Sequence, residues 1–414
     1  MRASEWHKLP ITLKELCINT TLRCGQSFRW RKSAEDEWSC ALHGRILSFR
    51  QDASHLHYRA IFPSMTSSPS LPTPPPPNVP SATPSAAFGD DDNTPALVNH
   101  YFNLQPDLTQ LYDQWAASDA NFRKKAPKFT GIRILRQDPW EALIGFICSS
   151  NNNISRISGM VHNLCKHYGP LIGDIGEESY HDFPTPEALA GPEVEAHLMK
   201  LGFGYRAKYI AKTARMVAEE KGLAWLEGLC NPESPVFGKI SAPAGEMADG
   251  GREGYKQAHA ELLALHGVGP KVADCVCLFG LGWSESVPVD THVWQIAQRD
   301  YRFGKGKHAS LTQATYVAVA NHFRKLWGKE AGWAHSVLFT ADLKAFSERI
   351  TAKVEVKEEA VLVKTEPGGS LLVEETAKTN STKRKRIKKE PEAKEHQVLE
   401  VKEARVTRSK KPRV

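Results

Sequence analysis

The chain has 414 residues, which leaves room for about two or three domains, and a formal net charge of +7. It contains no run of eighteen apolar residues and no signal-peptide pattern, so we expect a soluble, non-secreted protein without a membrane partner. Its eight cysteines form no CxxC pair, which argues against a zinc site or an iron–sulfur cluster and favours reduced thiols.

A small antiparallel sheet is predicted near the N-terminus. The segments QSFRWRK, WSCALHGRILSFRQ and HLHYRAIF alternate apolar and polar residues, and His43-Gly44 is typical of a hairpin turn. Residues 62–97 are rich in Pro and Ser and end in an acidic cluster, which predicts a disordered insertion. We assign residues 1–136 to an N-terminal domain in which this sheet is accompanied by helices.

Residues 137–349 are predicted to form an all-α domain, which makes the fold class α+β. Residues 231–253 contain four glycines and three prolines and predict a loop insertion within this domain. Segments in which apolar residues recur at helical spacing are DPWEALIGFICSS, ISRISGMVHNLCKHYG, TPEALAGPEVEAHLMKLG and GYKQAHAELLALHG.

The C-terminal tail, residues 350–414, is predicted to be disordered because large apolar residues become rare. Residues 351–414 carry 17 Lys and Arg against 11 Asp and Glu, so six of the seven net positive charges lie there. KRKRIKK, residues 383–389, is typical of a nuclear-localisation signal, although such runs are often only solubilising. We expect a nuclear protein that recruits repair-protein partners through its tail, and a mitochondrial pool stays open.

HGVGPKVADC, residues 266–275, is typical of a turn that leads into a helix. Pro270 suits the first helical position, and Gly267 and Gly269 permit a tight approach. Lys271 is then expected in the first turn, where the helix dipole is positive. It is either a solvated surface lysine, or an amine nucleophile beside a phosphate that the free N–H groups bind.

Asp290, in VPVDTHVWQ, lies where an extended segment turns into the next helix. Alone, the residue is best explained as an N-cap, which stabilises a helix by about 1 kcal/mol. Together with Lys271 it offers a carboxylate and an amine at two successive helix starts. Cleavage of a glycosidic bond by amine attack requires such a pair.

LHGVGPKVADCVCL and VPVDTHVWQIAQRDY together resemble the helix-hairpin-helix, Gly/Pro-rich loop and aspartate of DNA glycosylases, specifically the eukaryotic 8-oxoguanine DNA glycosylases. The resemblance implies a bifunctional DNA glycosylase/AP lyase of base-excision repair, a monomer that needs no cofactor. Its implied partner is duplex DNA in which an oxidised purine, 8-oxoguanine or formamidopyrimidine, lies opposite cytosine. Further stretches that match in order across most of residues 12–345 are CGQSFRW, RQDPWEALIGFICSSNNNISRISGM, LGFGYRAKY and GWAHSVLFTADL.

By matching position, the resemblance makes Lys271 the nucleophile that attacks the sugar C1′, releases the base and forms a Schiff base from which β-elimination cleaves the strand. It makes Asp290 the carboxylate that stabilises the developing charge on the sugar. The residues it implies around the flipped base are Gly25, Cys275, Pro288, His335 and Phe339. Those it implies at the estranged cytosine or elsewhere on the DNA are Asn151, Arg156, Tyr205, Arg206, Gly267, Gly269 and His292. An optional structural cation is implied at the backbone carbonyls of Leu263, Leu265 and Val268.

Ordinary structural roles stay open for several of these residues: a turn for Gly25, helix core for Cys275 and Phe339, and a core tyrosine for Tyr205. Three positions also depart from the family pattern. His335 stands where a glutamine is expected, Phe279 replaces a methionine, and His266 replaces a proline. A histidine titrates near neutrality and cannot both donate and accept as an amide does, so fine base specificity is in question.

Three rival functions stay open. Another helix-hairpin-helix glycosylase, acting on a different oxidised base or on adenine, is disfavoured by the missing cluster cysteines and the length of the match. A non-catalytic DNA-binding module has no need of both Lys271 and Asp290. If the basic tail is the functional part, DNA binding disappears when residues 351–414 are removed.

Overall fold

The computed structural model describes residues 2–63, 92–304, 310–346 and 348. These residues belong to one compact unit. The basic cluster at residues 383–389 lies outside the described residues, as does most of the insertion predicted at 62–97. Within the described part of the chain, no helix combines the length and the apolar composition needed to cross a membrane.

The N-terminal sheet is six-stranded and antiparallel. Its strands are β1 (Arg2–Ala3), β2 (His7–Pro10), β3 (Arg31–Ala34), β4 (Glu37–Leu42), β5 (Arg45–Gln51) and β6 (His55–Phe62). The order across the sheet is β1-β6-β5-β4-β3, and β2 also pairs with β6. His43 and Gly44, which have φ angles of 50° and 73°, form the two-residue turn between β4 and β5, so the predicted hairpin is confirmed.

Two short helices, α1 (Ile18–Thr21) and α2 (Thr94–Tyr101), accompany the sheet. Tyr101 of α2 packs into the sheet core, where its hydroxyl accepts a hydrogen bond from the Trp30 indole at 2.7 Å. The bounds predicted for the insertion, 62–97, extend into regular structure at both ends, because β6 runs to Phe62 and α2 begins at Thr94. Burial of Thr94, together with the hydrogen bond of 2.9 Å from its amide to the Asp92 carboxylate, orders the second end.

Thirteen further helices are described. They are α3 (Leu108–Ser118), α4 (Ala120–Lys125), α5 (Pro139–Cys148), α6 (Ile154–Tyr168), α7 (Pro186–Ala190), α8 (Val194–Lys200), α9 (Arg206–Arg215), α10 (Leu223–Gly228), α11 (Glu253–Leu263), α12 (Pro270–Phe279), α13 (Thr291–Tyr301), α14 (Gln313–Trp327) and α15 (Ala331–Asp342). A π-helical segment, Met216–Lys221, extends α9, and short 3-10 turns follow α4, α14 and α15. Helix α5 is buried along its whole length and packs against α12, so these two helices form the centre of the second core.

The region predicted as all-α also contains a β-hairpin, β7 (Leu171–Ile175) and β8 (Glu178–His181). It forms because Ile172 and Tyr180 bury themselves against Ile46 of the N-terminal sheet, a contact that periodicity within the segment does not reveal. The other regular elements described in this region are helices, as expected.

The loop predicted at residues 231–253 is irregular up to Arg252, and α11 begins at Glu253. The C-terminal end of this loop is held by ion pairs of Arg252. The Arg252 guanidinium is buried and binds Glu285 at 2.8 Å and Glu233 at 2.9 Å. The insertion is therefore fastened to the segment that leads towards Asp290.

Candidate active site

The predicted hairpin is formed by α11, a tight turn and α12. Helix α12 begins at Pro270, so Lys271 occupies the second helical position, as predicted. Gly267 has a φ of +78°, and a Cβ there would lie 2.6 Å from the Tyr209 side chain, so only glycine fits. At Gly269, in contrast, a Cβ would meet no atom within 4 Å. The turn is thus packed against α9 on one side and open on the other.

The Lys271 side chain is half-buried and points back towards α5. Its Nζ donates a hydrogen bond of 3.0 Å to the Ser149 hydroxyl and lies 5.4 Å from the centre of the Phe146 ring. These contacts exclude the alternative of a solvated surface lysine. Ser149 is a site residue that sequence reasoning missed, because it lies 122 positions away from Lys271.

Asp290 caps a helix and also lines a cavity. Its carboxylate caps α13 by accepting a hydrogen bond of 2.9 Å from the Val293 amide. The same side chain lines a cavity together with Lys271. The N-cap therefore holds the carboxylate in place beside the amine.

That cavity has a volume of about 50 Å³. All seven residues assigned to catalysis or to the flipped base line it, whereas the larger cavities of about 260 Å³ and 550 Å³ contain none of them. The lining residues are Cys24, Gly25, Gln26, Phe146, Lys271, Cys275, Phe279, Pro288, Asp290, Val293, His335, Ser336, Phe339 and Thr340.

Gly25 lies in a turn at the mouth of this cavity. It has a φ of +86°, and a Cβ there would approach Ile154 to 3.1 Å, so the glycine is needed for backbone shape and for space. The turn is held by the buried amide of Gln26, which donates to the Arg133 carbonyl at 2.8 Å and accepts from the Leu135 amide at 2.9 Å. Gln26 is a second residue that sequence reasoning missed, although it stands inside the CGQSFRW motif.

His335 is the unusual polar group of the cavity. It is 6% exposed, and neither ring nitrogen makes a hydrogen bond of ordinary geometry within the described residues, although the Gly332 carbonyl lies close enough to interact with the ring. Burial lowers the pKa of His335 to about 4, against the attraction of Asp290. The sequence-based expectation of titration near neutrality is therefore wrong: desolvation keeps the imidazole neutral at physiological pH, with one N–H donor and one acceptor nitrogen.

The remaining walls are apolar or aromatic. Burial raises the pKa of the Cys275 thiol to about 12, so this residue presents an uncharged thiol. The Phe339 ring lies 6.3 Å from the His335 ring and 6.1 Å from the exposed His292 ring. Phe279 stacks on Phe146 with ring centres 5.3 Å apart. The cavity thus combines flat, uncharged walls with an amine and a carboxylate.

A buried network behind the cavity joins the two helix starts. Asp274, one turn after Lys271, is 1% exposed and accepts hydrogen bonds from the hydroxyls of Tyr255, Tyr316 and Ser286. Burial alone would raise the pKa of Asp274, but His259, the charge of Arg324 and the Tyr255 hydroxyl lower it, so the carboxylate stays charged. Ser286 belongs to the segment that leads to Asp290, so the network fixes that segment against α12.

The residues implied at the opposite strand lie around the turn that follows α5, where Asn151, Arg156 and Tyr205 are exposed and Arg206 is buried. The Tyr205 hydroxyl donates to the Ser150 carbonyl at 3.0 Å, and Tyr205 is 49% exposed, which excludes a core tyrosine. Arg206 donates to the carbonyls of Ser150 and Asn151, and Arg156 donates to the Gly202 carbonyl. Asn151 is exposed, with a φ of +47°.

No metal centre is found in the described ranges: they contain no group of three or more His, Cys, Asp or Glu side chains that could hold an ion. Leu263, Leu265 and Val268, whose carbonyls were implied in an optional cation site, lie at the end of α11 and in the hairpin turn. That site stays a prediction.

Two family models match the chain: the N-terminal domain of 8-oxoguanine DNA glycosylase over residues 8–143, and the HhH-GPD superfamily of base excision DNA repair proteins over residues 144–326. The N-glycosylase/DNA lyase of Saccharomyces cerevisiae is 37% identical over 377 residues, covering 83% of this chain and 88% of that protein. The Arabidopsis thaliana N-glycosylase/DNA lyase OGG1 is 34% identical over 343 residues, covering 82% of this chain and 81% of that protein.

Solved structures agree on the fold. MBOgg1 in complex with a low-affinity DNA ligand superposes with a TM-score of 0.62 at 23% identity, over 85% of this chain and 99% of that one. The Clostridium acetobutylicum 8-oxoguanine glycosylase/lyase, bound to double-stranded DNA with cytosine opposite 8-oxoG, gives 0.60 at 22% identity, over 79% and 91%. Given the identity to the yeast and plant proteins, the chain belongs to the 8-oxoguanine N-glycosylase/DNA lyase family of the HhH-GPD superfamily.

Proposed function

We propose that this 8-oxoguanine DNA glycosylase/lyase uses Lys271 as its nucleophile, acts as a monomer, and excises 8-oxoguanine or formamidopyrimidine from duplex DNA opposite cytosine. One observation carries the proposal: Lys271 and Asp290 line the same cavity as all five residues assigned to the flipped base. A non-catalytic DNA-binding module has no use for a half-buried amine and a carboxylate inside one cavity.

In the proposed reaction, the Lys271 nitrogen forms a bond to the sugar C1′ as the bond from C1′ to the base breaks; the base leaves with the bonding electron pair and takes up the proton that the nitrogen releases. The Asp290 carboxylate offsets the positive charge that develops on the sugar. Opening of the sugar ring converts the adduct into a Schiff base. Loss of a C2′ proton then expels the 3′ phosphate by β-elimination, and water releases the lysine.

Recognition of the base is proposed to use the walls of the cavity. The Gly25 carbonyl accepts the N7 hydrogen that 8-oxoguanine has and guanine lacks, while Cys275 and Phe339 cover the two faces of the ring. 8-Oxoguanine makes this hydrogen bond, whereas guanine leaves the Gly25 carbonyl unpaired. The difference favours binding of 8-oxoguanine by about 1 to 3 kcal/mol. His335 adds one N–H donor and one acceptor nitrogen on different sides of its ring, because it is neutral.

Reading of the opposite strand is proposed for the cluster of Asn151, Arg156 and Tyr205, which are exposed, and Arg206, which is buried beneath them. Arginine and asparagine donors suit the N3 and O2 acceptors of an unpaired cytosine, and an exposed tyrosine ring suits insertion into the base stack. The turn that carries Ser149 and Ser150 joins this cluster to Lys271.

Borohydride trapping tests the nucleophile. A duplex with 8-oxoguanine opposite cytosine is incubated with the natural protein, with Lys271→Gln, and with Lys256→Gln as the matched control on α11. We expect a covalent protein–DNA adduct with the natural protein and the control, and none with Lys271→Gln. An adduct that persists in Lys271→Gln would overturn the assignment, and binding without base release by the natural protein would favour a DNA-binding module.

A further inference from the structure

The turn after α5, which contains Ser149, Ser150 and Asn151, contacts Lys271 on one side and the opposite-strand cluster on the other. On the side of Lys271, the Ser149 hydroxyl donates to the Phe146 carbonyl at 2.7 Å. Because the Ser149 hydroxyl proton is committed to this carbonyl, a lone pair of the hydroxyl oxygen is left to accept the hydrogen bond of 3.0 Å from Lys271 Nζ. The hydroxyl therefore has a fixed orientation and fixes in turn the place of the amine.

On its other side, the same turn is held by the opposite-strand cluster. The Ser150 carbonyl accepts hydrogen bonds from the Tyr205 hydroxyl at 3.0 Å and from Arg206 Nε at 3.1 Å, and Arg206 Nη2 also donates to it. Arg206 Nη2 donates to the Asn151 carbonyl as well, at 3.0 Å. Consecutive residues of one turn thus bind the amine and the opposite-strand residues.

We propose that Ser149 is a positioning residue for the Lys271 amine, and that the turn Ser149–Asn151 couples the opposite-strand residues Tyr205 and Arg206 to that amine. The inference rests on the proposed role of Lys271 as nucleophile. A base opposite the lesion competes for the same Arg206 donors that hold the turn in the DNA-free protein. The acceptors which that base presents therefore set the position of the turn, and with it the position of the amine.

An ordinary structural role for Ser149 is to end helix α5, where a hydroxyl bonded to the i−3 carbonyl is common. That role accounts for the bond to Phe146. It does not account for the second bond, to a lysine of another helix. Thermal stability responds to both roles, so the test needs a readout of the chemical step.

The test uses Ser149→Ala, Ser149→Thr, Tyr205→Phe and the double variant Ser149→Ala/Tyr205→Phe. Tyr205→Phe keeps the aromatic ring and removes only the hydroxyl that binds Ser150. Single-turnover base release is measured on a duplex with 8-oxoguanine opposite cytosine. Affinity is measured on the same duplex with a 2′-fluorine on the lesion nucleoside, which blocks bond cleavage.

We expect Ser149→Ala to slow base release about tenfold, the equivalent of one ordinary hydrogen bond, with affinity changed less than about twofold. Ser149→Thr keeps the hydroxyl and should recover most of the rate. Tyr205→Phe should slow release about threefold in the natural background and add nothing to Ser149→Ala, because both substitutions act through one turn.

Two outcomes would overturn the inference. If Ser149→Ala releases base at the natural rate, the hydroxyl does not position the amine. If the effects of Ser149→Ala and Tyr205→Phe multiply, the turn does not couple the two sides. Both outcomes differ from failure of the proposed function, in which Lys271→Gln still forms the trapped adduct.

Discussion

Replacing His335 by Gln should remove part of the pH dependence of stability. The folded protein holds this imidazole at a pKa of about 4, compared with the ordinary value of 6.5, because burial disfavours the charged ring. Between these two values the unfolded chain binds a proton that the folded protein does not. Stability therefore rises with pH across this window and falls as the pH is lowered from 7 towards 4.

At pH 5 an unfolded histidine is almost fully protonated, whereas about one tenth of the folded molecules carry the proton, so lowering the pH from 7 to 5 costs the natural protein about 2 kcal/mol through this residue. Urea unfolding at pH 5 and 7 measures the loss. We expect the loss in His335→Gln to be smaller by that amount. Equal losses in His335→Gln and the natural protein would refute the argument.

Two further predictions concern the glycines of the hairpin turn and the buried ion pair of Arg252. Gly267→Ala should destabilise the fold by about 2 kcal/mol, since it combines a positive φ with a clash against Tyr209. Gly269→Ala should change stability by less than about 0.5 kcal/mol but weaken DNA binding. Thermal melting measures the first effect, and titration with duplex DNA measures the second. Glu285→Gln leaves Arg252 without its buried partner and should cost about 3 kcal/mol in urea unfolding, whereas Glu253→Gln, at an exposed site, should cost almost nothing. A mild effect of Glu285→Gln would mean that Glu233 alone satisfies the guanidinium.

The local sequence was sufficient to predict the structure wherever the geometry of a short segment depends only on its own residues. Pro270 after a glycine-rich turn places Lys271 in the first turn of α12, and His43-Gly44 supplies the two positive φ angles of a hairpin. Contacts between distant segments were not predictable in this way. The bond between Lys271 and Ser149, and that between Gln26 and Arg133, each join residues more than 100 positions apart.

The pKa of His335 shows a related limit. Its residue type predicts titration near neutrality, and only the packing of α15 against the rest of the core removes the water that stabilises the charged ring. Burial is a property of the assembled core. A sequence pattern can place a histidine on a helix, but the solvent around that histidine depends on the helices that cover it.

The cavity lined by Lys271 and Asp290 is one step in the selection of the damaged base. A base enters it only after leaving the stack, which costs roughly a few kcal/mol. That cost is recovered only by a base that also pairs with the groups inside, while a genome offers about a million or more undamaged competitors. A contact worth about 1 to 3 kcal/mol at one atom can then act as the last of several selections, after flipping and reading of the opposite strand have removed most competitors.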